Sequence, residues 1–250
     1  MLLKKTNSKS ITVLSLLLLA GLSACQNEDP TPAQATSTTQ AASTSTSSAS
    51  AAVYCTGLTK SVASTINGKN SSAIKVAFQE TYRGFRLKFD ATANTSTIKK
   101  AAHHQIDIIV NGGLSAGLND MRTIKAILFY KDGTDDILYE NSYVYINNLG
   151  VFPNIDKDGG TVLFHELSHY LNDKYTPGGM YNTKLVSLYN AAVKSKKYPS
   201  DAYSMANAAE YFAEDMCAYF PGQKNSAPAT RAQLISWDPN MANYIKSLKF

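Results

Sequence analysis

The 250-residue chain carries 24 Lys and Arg against 19 Asp and Glu, a formal net charge of +5. Lys4, Lys5 and Lys9 lie in its first ten residues, and the +2 left to the rest is too weak and too dispersed for a nucleic-acid-binding protein. No internal repeat is visible.

Residues 1–24 read as an export leader. Three lysines precede the apolar run "ITVLSLLLLAGLSA", which is too short to span a bilayer comfortably and ends in small residues. The end of that run, Leu22-Ser23-Ala24-Cys25, resembles the lipobox of bacterial lipoproteins. The resemblance implies cleavage before Cys25 and acylation of its thiol and new amine. Several acyl chains together anchor a protein stably where one is marginal. Residues 25–52 then read as a tether. "PTPAQATSTTQAASTSTSSASAA" has no charge and no large apolar side chain, so it cannot bury a core and is expected to stay disordered. As a flexible coil it would hold the downstream domain on the order of 25–30 Å from the lipid.

Residues 53–250 suit one globular domain of two lobes. "SSAIKVAFQETY" spaces Ile74, Phe78 and Tyr82 by four and predicts a helix. "FRLKFD" alternates Phe85, Leu87 and Phe89 with polar residues and predicts a strand. "QIDIIVNGG" reads as a further strand, with His103 and His104 as its polar lead-in. "IKAILFYKDGTDDILYEN" is strand-like on both sides of Asp132-Gly133, a hairpin signal, and "SYVYINNLG" is the last strand. Helical patterns come next in "TVLFHELSHYLNDKY", "TKLVSLYNAAVKS" and "SMANAAEYFAEDMCAYF", the last stopped by Pro221-Gly222 and with Ser204 as a plausible N-cap. The C-terminal stretch reads as helical pieces. A mixed front half with a small sheet, feeding a helical back half, is an α+β plan.

Two of the four histidines, His165 and His169, stand four apart in "HELSH". On a helix, positions i and i+4 share a face, so the two imidazoles can chelate one ion. Glu166 is turned toward the open side, where it can take a proton from water. A catalytic zinc usually takes three protein ligands, so one is missing. The metzincin continuation fails, because its Gly and third His positions hold Asn172 and Tyr175, and no histidine comes after His169. His103 and His104 are adjacent and diverge. That leaves the carboxylates Asp173, Asp201, Glu210, Glu214, Asp215 and Asp238. Asp173 is on the motif helix itself, which would have to bend for it to reach the ion. Glu210 and Glu214 share a face of a second helix beside Ala206, Ala209, Ala213 and Ala218, small residues that let two helices approach closely.

HELSH, with Tyr203 and "EYFAE" about forty residues later, resembles the gluzincin metalloproteases of the anthrax lethal factor catalytic domain and the secreted bacterial Pro-Pro endopeptidases. Their pattern combines HExxH, a tyrosine seven residues before the ligand glutamate, and an E-[FY]-F-A-E helix. The resemblance implies one Zn2+ per chain, held by His165, His169 and Glu210, with Glu166 as general base. It implies that Tyr203 donates to the developing oxyanion, and that Glu214 stands behind a ligand histidine. The motifs cover roughly residues 160–220, so substrate preference does not carry over. Two other readings stand beside this one. They are an aspzincin-like protease using Asp201, and a non-catalytic lipoprotein binding module with a degenerate or structural metal site.

The expected protein is therefore a monomeric, lipid-anchored zinc endopeptidase of the bacterial envelope, acting on protein or peptide. Gln26 lacks the inner-membrane retention Asp of some bacteria, which favours the outer membrane, and Glu28-Asp29 faintly resembles a surface-export signal. With Cys25 acylated, Cys55 and Cys217 remain as a pairable couple, and an exported domain permits the bridge.

Overall fold

The computed structural model describes residues 71–134, 137–155, 162–222 and 227–250. The leader, Cys25, the tether and Cys55 lie outside these residues, and so does the expected Cys55–Cys217 bridge; Cys217 itself is buried. No helix among the described residues is long and apolar enough to cross a membrane.

Five strands form one mixed sheet: β1 (Phe78–Tyr82), β2 (Phe85–Phe89), β3 (Ala126–Phe129), β4 (Ile137–Glu140) and β5 (Tyr143–Ile146). Their order is β1-β2-β3-β5-β4. The β1–β2 and β4–β5 pairs are antiparallel, whereas β3 runs parallel to both β2 and β5. Period-two alternation sorts the faces. Phe85, Leu87 and Phe89 of β2, Ile127 and Phe129 of β3, and Val144 and Ile146 of β5 enter the main core. Ala126, Leu128, Leu138 and Tyr145 form a smaller cluster that takes the alternate positions, with Ile74 against it.

The helices are α1 (Ser96–Ile109), α2 (Phe152–Ile155), α3 (Val162–Tyr175), α4 (Thr183–Ser195), α5 (Ala208–Tyr219), α6 (Arg231–Trp237) and α7 (Pro239–Ser247). The chain is thus α+β, with strands first and most helices after. Helices α3 and α5 pack on each other and are buried nearly all round, as the centre of a core requires. At the start of α3, the turn Val110–Leu114 comes so close that a Cβ on Gly113 would lie 2.6 Å from Phe164 Cε2. Only glycine fits there. Gln105 of α1, itself buried, accepts a hydrogen bond from Leu163 N at 3.3 Å and ties α1 to the same end.

Four local expectations are corrected. Residues 71–82 form a short 3-10 turn and strand β1 instead of a helix. Their apolar spacing of four satisfies period two as well. "QIDIIV" is the end of α1, not a strand, so His103 and His104 are helical. The helix starts at Thr95, whose side chain accepts from Ile98 N, and buries Ile98, Ala101, Ala102, Gln105, Ile106 and Ile109 on one 3.6-residue face. β3 and β4 do not form a hairpin across Asp132-Gly133, because β5 lies between them. The hairpin is β4–β5, closed by Asn141 and Ser142 with φ of 53° and 68°. Positive φ at both central residues is the turn whose twist matches paired strands. Finally, the N-cap of α5 is Asn207, not Ser204. Ser204 sits in the 3-10 turn Tyr203–Met205, and its hydroxyl donates to Ala227 O at 3.3 Å.

Candidate metal centre

The α3 face toward α5 presents His165 and His169 one turn apart. Helix α5 answers with Glu210 in its first turn. The Asn207 side chain accepts from Ala209 N and Glu210 N, at 2.9 and 3.0 Å, and so fixes the backbone that carries Glu210. Three atoms converge. His165 Nε2 is 2.9 Å from Glu210 Oε2, His169 Nε2 is 3.4 Å from the same oxygen, and the two imidazole nitrogens are 3.2 Å apart. A tetrahedral ion with bonds of about 2.0–2.1 Å spaces its ligand atoms by about 3.3–3.4 Å. The buried group His165, His169 and Glu210 can therefore hold a metal ion.

The proton inventory points the same way. His165 Nδ1 faces Glu214 Oε1 at 2.8 Å, so its N–H belongs there. The neutral ring then turns a lone pair at Nε2 toward the Glu210 carboxylate and the second imidazole. That lone pair, the Glu210 carboxylate and His169 Nε2 meet at hydrogen-bond distance, where they can share either a proton on His169 or a cation. Glu214 is the buried carboxylate that holds the histidine's tautomer.

The surrounding charges are set by burial. Burial pushes Glu166 up to about 7, against the lowering effect of His165 and His169, with Glu210 raising it further. The nearby backbone N–H of Tyr139 on β4 lowers it slightly. Burial would raise Glu210 as well, but the two imidazoles outweigh it and hold that carboxyl well below the usual range. Glu214 is raised by burial, opposed by His165. Tyr203 is raised by burial and then by Glu210, Glu166 and Glu214, so its phenol stays protonated and remains a donor. Its ring centroid lies 5.8 Å from that of His165, with Glu210 among the carboxylates near its hydroxyl.

The other candidates stand elsewhere. Asp173 is exposed and accepts from the Tyr139 hydroxyl at 2.8 Å. Asp201 is exposed and outside the group. Asp215, fully buried on another side of α5, takes the Tyr198 hydroxyl at 3.1 and 3.3 Å. Asp238 caps α7 and takes the Tyr211 hydroxyl at 2.6 Å. His103 stacks on Tyr82 and pairs with Glu80 at 2.9 Å on the α1–β1 surface. Sequence reasoning missed Tyr139. It lies 26 residues before His165, and only the strand order brings it to the site.

Comparison with family models, with curated proteins and with solved structures returned no match.

Proposed function

We propose that the chain is a zinc-dependent endopeptidase of the cell envelope, anchored through Cys25 and cleaving peptide bonds in protein or peptide substrates. The observation that carries this reading is the convergence of His165, His169 and Glu210 with a buried Glu166 beside them. Two imidazole nitrogens and one carboxylate oxygen are the donor set of a catalytic zinc, which leaves a fourth position open, whereas a structural zinc is closed by four protein ligands. Zinc, when bound, supplies a Lewis acid that acidifies water and polarises a carbonyl.

The chain's own residues do the rest. Glu166 takes the proton of the attacking water on its carboxylate and passes it to the leaving amine. In the metal-free protein burial raises its proton affinity above that of an ordinary carboxylate. Tyr203 donates its phenolic proton as a hydrogen bond to the oxygen that gains charge. Glu214 holds His165 through Nδ1. Among the described residues β4 is an edge strand of the sheet, and an edge strand is the kind of element that an extended peptide can pair with.

Elemental analysis of the purified protein, together with hydrolysis of an unfolded protein substrate with and without chelator, tests the proposal. One zinc per chain and chelator-sensitive cleavage are expected. A metal-free protein, or cleavage indifferent to chelation, would refute it.

A further inference from the structure

The two imidazoles are held in different ways. His165 has a carboxylate on its outer nitrogen, Glu214 at 2.8 Å. No hydrogen bond reaches Nδ1 of His169 among the described residues; its polar contacts are made by Nε2. With no protein group among the described residues on its outer nitrogen, the His169 ring takes its protein-derived orientation from packing. The side chain beside it is Tyr139, whose ring centroid lies 6.5 Å from that of His169 at an interplanar angle of 22°.

Tyr139 is fixed from three directions. Its ring also meets Tyr170 at 6.1 Å. Its hydroxyl donates to Asp173 Oδ2 at 2.8 Å, one helical turn past His169. Its backbone N–H lies near enough to Glu166 to lower that carboxyl's proton affinity. The hairpin geometry explains the last of these. A two-residue turn at Asn141 and Ser142 makes Glu140 and Tyr143 the hydrogen-bonded closing pair, so the next pair, Tyr139 and Val144, points its backbone groups away from each other. The Tyr139 N–H is thereby turned outward from β5. Gly179, at φ +51°, runs close beside Asp173, where a Cβ would collide with Asp173 Oδ1.

We infer that Tyr139 is a positioning residue for the metal centre: it does for His169 by packing what Glu214 does for His165 by hydrogen bonding, with Asp173 tethering it to the metal helix. This rests on the metallopeptidase reading of the site. It assigns the residue to one ligand and the edge strand to the centre's rigidity.

The test uses the purified protein loaded with zinc or cobalt, as wild type, Tyr139→Phe, Tyr139→Leu and a Tyr143→Phe control on β5. Zinc affinity is read by chelator competition, ligand geometry by the visible spectrum of the cobalt form, and kcat and KM on one peptide. Tyr139→Leu removes the ring and is expected to weaken zinc by about 10–100-fold, as loss of an outer support does. Its cobalt spectrum should shift, with kcat lowered more than KM is raised. Tyr139→Phe keeps the ring and loses the tether, so it should fall between wild type and Leu, and it keeps the test alive if Leu does not fold. Tyr143→Phe should match wild type. Wild-type affinity and an unchanged cobalt spectrum in the Tyr139 variants would overturn the inference alone. A wild-type protein that binds neither metal would overturn the site reading beneath it.

Discussion

At the scale of single residues, the centre separates atoms that would bond the ion from atoms that hold those atoms. Glu210 Oε2 lies within 3.4 Å of both imidazole nitrogens, whereas Glu214 reaches His165 only from behind. Glu210→Ala should therefore abolish stoichiometric zinc. Glu214→Ala should weaken it by about 10–100-fold, the usual cost of losing an outer partner. Equilibrium dialysis against zinc distinguishes the two, and equal losses would contradict the assignment. Tyr203 is a different kind of residue. Its half-buried phenol stands among carboxylates, stays protonated and is outside the metal-holding group, so Tyr203→Phe should keep the metal and the fold. Turnover should fall by about 10²–10³-fold, the scale of one lost oxyanion donor. Unchanged turnover in the Phe protein would remove Tyr203 from the mechanism.

At the scale of elements, Glu210 is placed by the start of α5, and that start depends on Asn207. Asn207→Ala removes the acceptor for two first-turn N–H groups and should cost about 1 kcal/mol in denaturant unfolding. It should also weaken zinc, because the frayed turn carries a ligand; Ser204→Ala should cost less. The helices were the legible part of this protein. "HELSH" lies in a segment whose apolar residues repeat with helical period, and "EYFAE" announces the second helix, so the two helices that carry His165, His169 and Glu210 could be read from sequence. The strands were harder. Ile74, Phe78 and Tyr82 fit both periods, and the deciding signal was the turn Arg83-Gly84, with φ of 50° and 91°, which closes β1 on β2. In "QIDIIV" the β-branched run masked a helix whose capping residue, Thr95, lies ten residues upstream of Gln105. The insertion of β5 between β3 and β4 has no local signature at all, since it is settled by which strands share the core. For that reason Tyr139 could not be read from sequence.

At the scale of the whole molecule, the site places buried acids at the centre of the fold. Burial raises Glu166 from an ordinary value of 4.5 to about 7 in the metal-free protein. The folded state then binds more protons than the unfolded state between those two values, so stability falls as pH rises from about 4.5 to about 7. For Glu166 alone the loss is on the order of 3 kcal/mol. Glu214, raised in the same direction, adds to it. Glu210 is lowered, and its contribution is constant above 4.5, so it does not oppose the trend in this window. A bound cation compensates the negative charge. Thermal melts should show the metal-free protein losing stability from pH 5 to pH 8, with added zinc restoring more at pH 8 than at pH 5. A metal-free melting temperature that rises over that range would contradict the burial of these carboxyls. The most direct measurement of the proposed function is the rate of peptide hydrolysis by Glu166→Gln against wild type, compared at equal zinc content. The substitution keeps the shape and all three ligand atoms and removes only the group that accepts the proton. Loss of about 10²–10⁴-fold or more in rate, with zinc retained, is expected. Hydrolysis by the Gln protein at the wild-type rate would contradict the mechanism.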